Sequence, residues 1–214
     1  MIRFITFEGG DGTGKTTQIQ TLEKYFRDLK RTCVTTREPG GTELGKLIRK
    51  VLLEVGDSEI ATSTELFLYL ADRSQHVKEI IRPAIDSGSM VLCDRFTDST
   101  LAYQGYGRGI DLNWLRRLNE TAGAGICPDM TFLFDCPVEI GLARTAQRRA
   151  QSAVDRPQED RFEREQLEFH ERVRQGFLDL ARTEPHRFRV IDASATVDQV
   201  AKRIREIIDR EVVP

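Results

Sequence analysis

The first apolar stretch of the chain, Ile2-Arg3-Phe4-Ile5-Thr6-Phe7, is short and rich in aromatic and β-branched residues, as a strand is. Ile19, Leu22, Tyr25, Phe26 and Leu29 instead return every three or four positions, as one face of a helix does. The alternation continues to the C-terminus. Strand-like runs at residues 32–36, 90–93, 130–134 and 187–191 are separated by amphipathic helical stretches, among them 43–55, 64–85, 139–149, 162–181 and 197–210. Strands that alternate with helices pair in parallel, because each crossover returns the chain to the same end of the sheet. The pattern predicts an α/β fold in three layers, with a central parallel five-stranded sheet and helices on both faces.

One segment breaks the pattern. Residues 148–160 lack an apolar period and are dense in charge, so they are expected to be exposed and mobile between two helices. Because the segment carries arginines, it reads as a lid able to close over phosphates more than as an inert linker.

Between the first strand and the first helix lies Gly9-Gly10-Asp11-Gly12-Thr13-Gly14-Lys15-Thr16, which fits the phosphate-cradling pattern G-x-x-x-x-G-K-[ST] in the context that pattern requires. The fold class sharpens to the P-loop NTPase type. Glycines let the backbone turn tightly and aim its N–H groups at phosphate oxygens, and the helix N-terminus adds the positive end of its dipole. Lys15 then reaches the β- and γ-phosphates of a nucleoside triphosphate, and the Thr16 hydroxyl ligates Mg²⁺.

Composition removes several classes of partner. Charged residues make up 31% of the 214-residue chain, yet the formal net charge is −2, so nothing global points to nucleic acid or membrane. No apolar segment approaches the roughly 20 residues of a bilayer span, and the chain enters its first strand without a leader; the expectation is a cytoplasmic protein of one domain. Cys33, Cys93, Cys127 and Cys136 have no metal-ligand spacing and read as reduced packing residues.

A second constellation lies beyond the P-loop. The run Met90-Val91-Leu92-Cys93 ends abruptly in Asp94-Arg95. Ligands of open parallel sheets sit beyond the carboxyl ends of the strands, so Asp94 is expected to hold Mg²⁺ or its waters and Arg95 to clamp a phosphate. Arg37 follows the second strand, Arg49 lies on the next helix, and Tyr69 and Arg73 stand at i and i+4 on one helical face. Ser99, Thr100, Tyr103 and Gln104 supply hydroxyls and an amide.

Together these motifs resemble the thymidylate kinases, in their bacterial form, over essentially the full length. The matching segments are Phe7-Glu8-Gly9 into the P-loop, Thr36-Arg37-Glu38-Pro39-Gly40-Gly41, Ala71-Asp72-Arg73, Asp94-Arg95-Phe96, Ala102-Tyr103-Gln104-Gly105 with Arg108-Gly109, Pro128-Asp129, and Asp160-Arg161-Phe162-Glu163. The Asp-Arg-aromatic and Tyr-Gln-Gly segments are highly specific in combination.

The resemblance implies one nucleoside monophosphate kinase domain over residues 1–214, with a lid at about 145–162, that phosphorylates thymidine monophosphate (dTMP) to the diphosphate with ATP and Mg²⁺, in the supply of thymidine triphosphate. It implies a homodimer. The donor would be held by Gly9, Gly10, Asp11, Gly12, Thr13, Gly14, Lys15, Thr16, Thr17 and Gln18, with Arg144 and the turn Ile191-Asp192-Ala193 near the adenine, and the metal by Thr16 and Asp94. Arg37, Arg49 and Arg95 would hold the dTMP phosphate, a planar-donor task that suits arginine. Tyr69 would stack on thymine, Arg73 and Thr100 would bond its O4 and N3 edge, Gln104 would support the base, and Ser99 would line the same site. Tyr103 would crowd the 2′ position, and Asp11 would accept the 3′-hydroxyl.

Three features are particular to this chain: Tyr69 stands where many members carry Phe, the stretch between Arg149 and Asp160 is longer than in some relatives, and Asp11 is followed by Gly12 where one branch has an arginine. The positive charge missing from the loop is therefore expected from the lid. Arg148 is the first choice, ahead of Arg149, Arg156 and Arg161, acting with Lys15 and with Asp94 in the catalytic set.

Rival readings fit less of the chain. A deoxynucleoside kinase needs a base to deprotonate a hydroxyl and has no use for arginines around an acceptor phosphate; a kinase for another nucleoside monophosphate is the nearer alternative. A GTPase needs Asn-Lys-x-Asp, and the sequence has no Asn-Lys pair. A P-loop ATPase switch would leave the acceptor-side motifs without a role.

Overall fold

The computed structural model describes residues 2–53, 60–151, 161–162 and 164–213. Strands β1 (Phe4–Gly9), β2 (Cys33–Arg37), β3 (Met90–Asp94), β4 (Met130–Asp135) and β5 (Phe188–Asp192) form one parallel sheet in the order β2-β3-β1-β4-β5. Each strand lies within about two residues of the run that predicts it, because period and β-branching both mark these segments.

The helices are α1 (Lys15–Asp28), α2 (Glu43–Leu53), α3 (Thr62–His76), α4 (Arg82–Asp86), α5 (Thr97–Thr100), α6 (Leu112–Ala122), α7 (Val138–Gln151), α8 (Leu167–Thr183) and α9 (Val197–Glu211). Wide π-type turns at Val77–Ile81 and Leu101–Gly107 continue α3 into α4 and extend α5. The periodic stretch at 64–85 is thus one helical rod with a π segment in it, a feature that apolar spacing does not reveal. Of the expected lid, residues 152–160, including Arg156 and Asp160, lie outside the described residues, as does Glu163.

One helix differs from its expected span. The stretch predicted from residue 162 begins as α8 at Leu167, after Gln166 in extended conformation. Phe162 instead joins the cluster that α8 builds, stacked on Phe169 with ring centroids 6.3 Å apart and edge-on to Tyr103 at 5.5 Å.

Both sheet faces are covered, which is why the strands read as nearly continuous apolar runs. Ile5 and Phe7 of β1, Leu92 of β3 and Phe132 and Phe134 of β4 face Ile19, Leu22 and Phe26 of α1 and Val200, Ile204 and Ile208 of α9. On the opposite face Leu133 and Phe188 pack with Phe169, Val173 and Phe177 of α8, and Phe4, Val91 and Cys93 pack with Val77, Ile81 and Phe96. Cys93 and Cys136 are buried and Cys33 half-buried, but Cys127 is exposed, so the packing role expected for all four fails there. Among the described residues no helix is long and apolar enough to cross a membrane.

Candidate active site

At the C-terminal ends of β1, β2 and β3 the sheet opens into a cavity of about 340 Å³. The connection out of β1 runs toward β2 while that out of its neighbour β4 runs the other way to β5, so the loop after β1 lies at the usual ligand crevice of an open parallel sheet. The loop from Asp11 to Gly14 enters α1 through Gly14, whose φ of 91° is left-handed, and no side chain caps the helix. The first amides of α1 are therefore left for an anion.

Lys15 is buried and curls back over the loop, its Nζ donating to the Gly10 carbonyl at 2.6 Å and the Gly9 carbonyl at 3.1 Å. Burial, reinforced by the nearby Arg95 charge, brings its ammonium down to about 8. The Thr16 hydroxyl donates to Asp94 Oδ2 at 3.0 Å, so an alcohol and a carboxylate oxygen meet at the end of β3.

Arg95 has a left-handed φ of 70°, imposed where its N–H bonds to the Phe7 carbonyl as β3 turns away. Its guanidinium donates to Asp11 Oδ1 at 2.6 Å, to the Gly9 carbonyl at 2.9 Å, to the Tyr103 hydroxyl at 3.1 Å and to Ser99 Oγ at 3.2 Å. Burial pulls the Asp11 carboxyl up, yet Arg95 and Lys15 outweigh it and hold the group below its ordinary value. Burial lifts the Tyr103 phenol well above its ordinary range, so it stays neutral and can donate to Asp11 Oδ2 at 3.2 Å. Glu8, fully buried behind Arg95, accepts from the Phe96 N–H at 2.7 Å and Ser99 Oγ at 2.6 Å, and burial with Asp98 nearby raises it to about 7.

The other wall is built by α3. Arg73 is 1% exposed and spends four of its five N–H groups within the chain. These bond Glu38 at 2.9 Å, Thr100 at 3.0 Å, Asn119 at 2.6 Å and the Phe96 carbonyl at 3.0 Å. His76 ties the same Glu38 to Thr36, at 2.9 and 2.6 Å, which braces the loop that presents Arg37. Arg37 itself is exposed at the cavity and makes no side-chain bond among the described residues. Arg49 bonds the Pro39 carbonyl at 3.0 Å. Arg144 donates to the Ala193 carbonyl at 2.7 Å, joining the root of the expected lid to the turn after β5.

The cavity gathers Asp11, Gly12, Thr13, Gly14, Lys15, Thr16, Thr17, Arg37, Arg49, Tyr69, Arg73, Asp94, Arg95, Ser99, Thr100, Tyr103, Gln104, Arg144 and Arg148 of the expected site. Gly9 and Gly10 line a smaller cavity behind the loop. Two expected residues go elsewhere. Gln18 is buried against α9, its Nε2 donating to the Val197 carbonyl at 2.9 Å, because the helical turn carries it off the phosphate side. Arg161 is turned away from the P-loop, its Nη2 on Glu65 at 2.6 Å and its Nε on the Leu52 carbonyl at 3.2 Å.

Glu38 and Phe162, which lie in the matching segments without an assigned role, and Asn119 and Glu65, which lie outside them, also build the α3 wall. Glu65 carried the strongest signal, since Glu65, Tyr69 and Arg73 form one i, i+4 stripe on α3.

A triphosphate cradle and an arginine-rich pocket that share one cavity, with Asp11 and Arg95 between them, define a P-loop kinase. A family model described as thymidylate kinase matches residues 7–204. Thymidylate kinase of Geobacter sulfurreducens is 52% identical over 96% of this chain and 95% of its own length. That of Desulfovibrio desulfuricans is also 52% identical, over 96% and 94%. The crystal structure of thymidylate kinase from Ehrlichia chaffeensis superposes with a TM-score of 0.77 at 34% identity, covering 96% of this chain and 98% of that one. The chain belongs to the thymidylate kinase family. It is an ATP-dependent phosphotransferase acting on dTMP.

Proposed function

We propose that ATP and dTMP meet end to end in the cavity, with residues 1–214 acting as one kinase domain, and that each side chain has the following part. The observation that supports this reading is the Asp11–Arg95 pair at 2.6 Å, which ties the P-loop to the arginine that ends β3. The loop amides and Lys15 take the β- and γ-phosphates, for which Lys15 exchanges its present carbonyl partners. Arg37, Arg49 and Arg95 hold the dTMP phosphate, so that its oxygen lies in line with the γ-phosphorus. That oxygen is already anionic, and no strong base is needed.

The Thr16 hydroxyl and Asp94 carboxylate are hard oxygen donors 3.0 Å apart, a fit for Mg²⁺. Neutralising charge between the β- and γ-phosphates is the chemistry such an ion supplies. Asp94 also steadies Arg95 from the adjacent position. Tyr69 stacks on thymine, Arg73 offers its remaining N–H to O4, and Thr100 borders N3. Tyr103, fixed between Arg95 and Asp11, fills the space a 2′-hydroxyl would need, while Asp11 accepts the 3′-hydroxyl. Arg148, at the end of α7 and on the cavity wall, supplies the transition-state charge that Gly12 cannot. Arg161 acts from its place on Glu65, as an anchor for the far end of the lid.

The homodimer is part of the same reading. Leu44, Leu47 and Val51 share one exposed face of α2, and Phe67 is exposed on the neighbouring α3; an apolar patch of this kind fits a second copy of the chain. Four free cysteines agree with a cytoplasmic setting.

Replacing Arg37 by Ala tests the acceptor assignment. KM for dTMP is expected to rise on the order of 10-fold or more with KM for ATP nearly unchanged, as befits a lost charge-assisted contact. An unchanged dTMP KM overturns it.

A further inference from the structure

Glu65 lies on α3, behind the pocket that holds Gln104, with its side chain 1% exposed. Its Oε1 accepts from Gln104 Nε2 at 2.8 Å, and its Oε2 accepts from Arg161 at 2.6 Å and Arg108 at 3.4 Å. A carboxylate between guanidinium groups offers acceptors only, so the Gln104 amide must turn its NH₂ toward Glu65; the reverse would set oxygen against oxygen. Gln104 Oε1 makes no bond within the described residues, and Gln104 lines the cavity. The Gln104 backbone is pinned as well, its carbonyl accepting from the Ile110 N–H at 3.1 Å.

We propose that Glu65 is a specificity-determining positioning residue: by fixing the Gln104 amide in one orientation, it presents a bare acceptor to the base and selects imide pyrimidines over cytosine. Thymine carries a donor at N3, which that oxygen accepts; cytosine carries a lone pair at N3, which it repels. Neither end of Glu65 touches the nucleotide. The selection is enforced from behind, since the guanidinium groups on Oε2 favour the ionised carboxylate, which can only accept from Gln104. This rests on the reading of Gln104 as part of the thymine site.

The decisive variant is Glu65→Gln. Arg161 and Arg108 require an oxygen on their side, so the new NH₂ faces Gln104, which then turns over and offers its own NH₂ to the base. The ratio of kcat/KM for dTMP to that for deoxycytidine monophosphate should fall about 10- to 100-fold, the cost of one mismatched buried hydrogen bond. The double variant E65Q/Q104E puts an acceptor back at the base and should restore the dTMP preference. An unchanged ratio in E65Q, equal loss on both nucleotides, or no restoration overturns the proposal. In the unmutated enzyme, dTMP should leave the Gln104 side-chain NH₂ resonances nearly unmoved, and a large shift of those protons also overturns it. Absence of any dTMP-dependent ADP formation by the unmutated enzyme would instead overturn the functional reading beneath it.

Discussion

The carbonyl oxygen of Gly141 lies 2.1 Å from where a Cβ on Gly12 would sit, and a Cβ on Gly141 would come within 2.4 Å of the Asp11 carbonyl. The P-loop and α7 thus touch backbone to backbone, and Gly12 has a left-handed φ of 71° besides. No side chain fits at this turn of the loop, so position 12 itself can bring no charge to the phosphates.

Gly12→Ala and Gly141→Ala should both damage the enzyme without removing a single functional group. Backbone strain of about 1–3 kcal/mol at Gly12, with the displaced carbonyl added, predicts a Tm lower by about 5 °C or more and a large fall in kcat. A melting curve and turnover equal to the unmutated protein's would contradict this packing.

Arg148→Ala should cost on the order of 10³-fold in kcat with little change in either KM, because a transition-state charge is lost and ground-state contacts are not. Arg161→Ala should act differently. Its guanidinium is committed to Glu65, so its loss is expected in KM for dTMP and in thermal stability. Steady-state rates of the two variants distinguish these roles, and a kcat effect larger in Arg161→Ala would reverse the assignment.

Lys15 gives the donor site a pH dependence. Burial and Arg95 hold its ammonium at about 8, below its ordinary 10.5, so the free enzyme loses this charge as pH rises through about 8. A bound triphosphate favours the charged form and raises the value again. ATP binding near pH 8 should therefore take up protons, and affinity should weaken from pH 7 to pH 9. Calorimetry in buffers of different ionisation enthalpy measures the uptake; proton release on binding would refute the burial argument.

Asp98 and Arg187 form a two-pronged pair at 2.7 and 2.8 Å, and Asp98, on α5 next to Ser99, is 1% exposed. Arg187→Ala would leave the carboxylate buried and unpaired, a loss of about 3 kcal/mol or more. Denaturant unfolding should show it as a lower midpoint with an unchanged slope, and a loss under about 1 kcal/mol would mean that water reaches Asp98 freely.

The strands and most helices were legible because period and β-branching mark them, and Asp94 and Arg95 were legible because they end an apolar run. Residues 95–122 were less so. The π-type turns that place Tyr103 and Gln104 leave no spacing signal, and α6 carries its apolar positions among many charges. The partners that orient the site, Glu38 on Arg73 and Glu65 on Gln104, are separated from them by 35 and 39 residues, pairings that only the folded chain displays. Gln18 and Arg161 show the converse. Their neighbours Thr17 and Phe162 line the cavity, but helix rotation turns Gln18 toward α9 and a buried carboxylate captures Arg161.

The central claim is that one cavity joins a triphosphate cradle to a site for a phosphate-bearing thymine nucleotide. ADP formation from ATP-Mg, followed in parallel with dTMP, with thymidine and with no acceptor, tests it most directly. The account predicts rapid ADP release with dTMP alone, matched mole for mole by thymidine diphosphate. Stimulation by thymidine instead of dTMP, or equally fast hydrolysis with no acceptor, would contradict it.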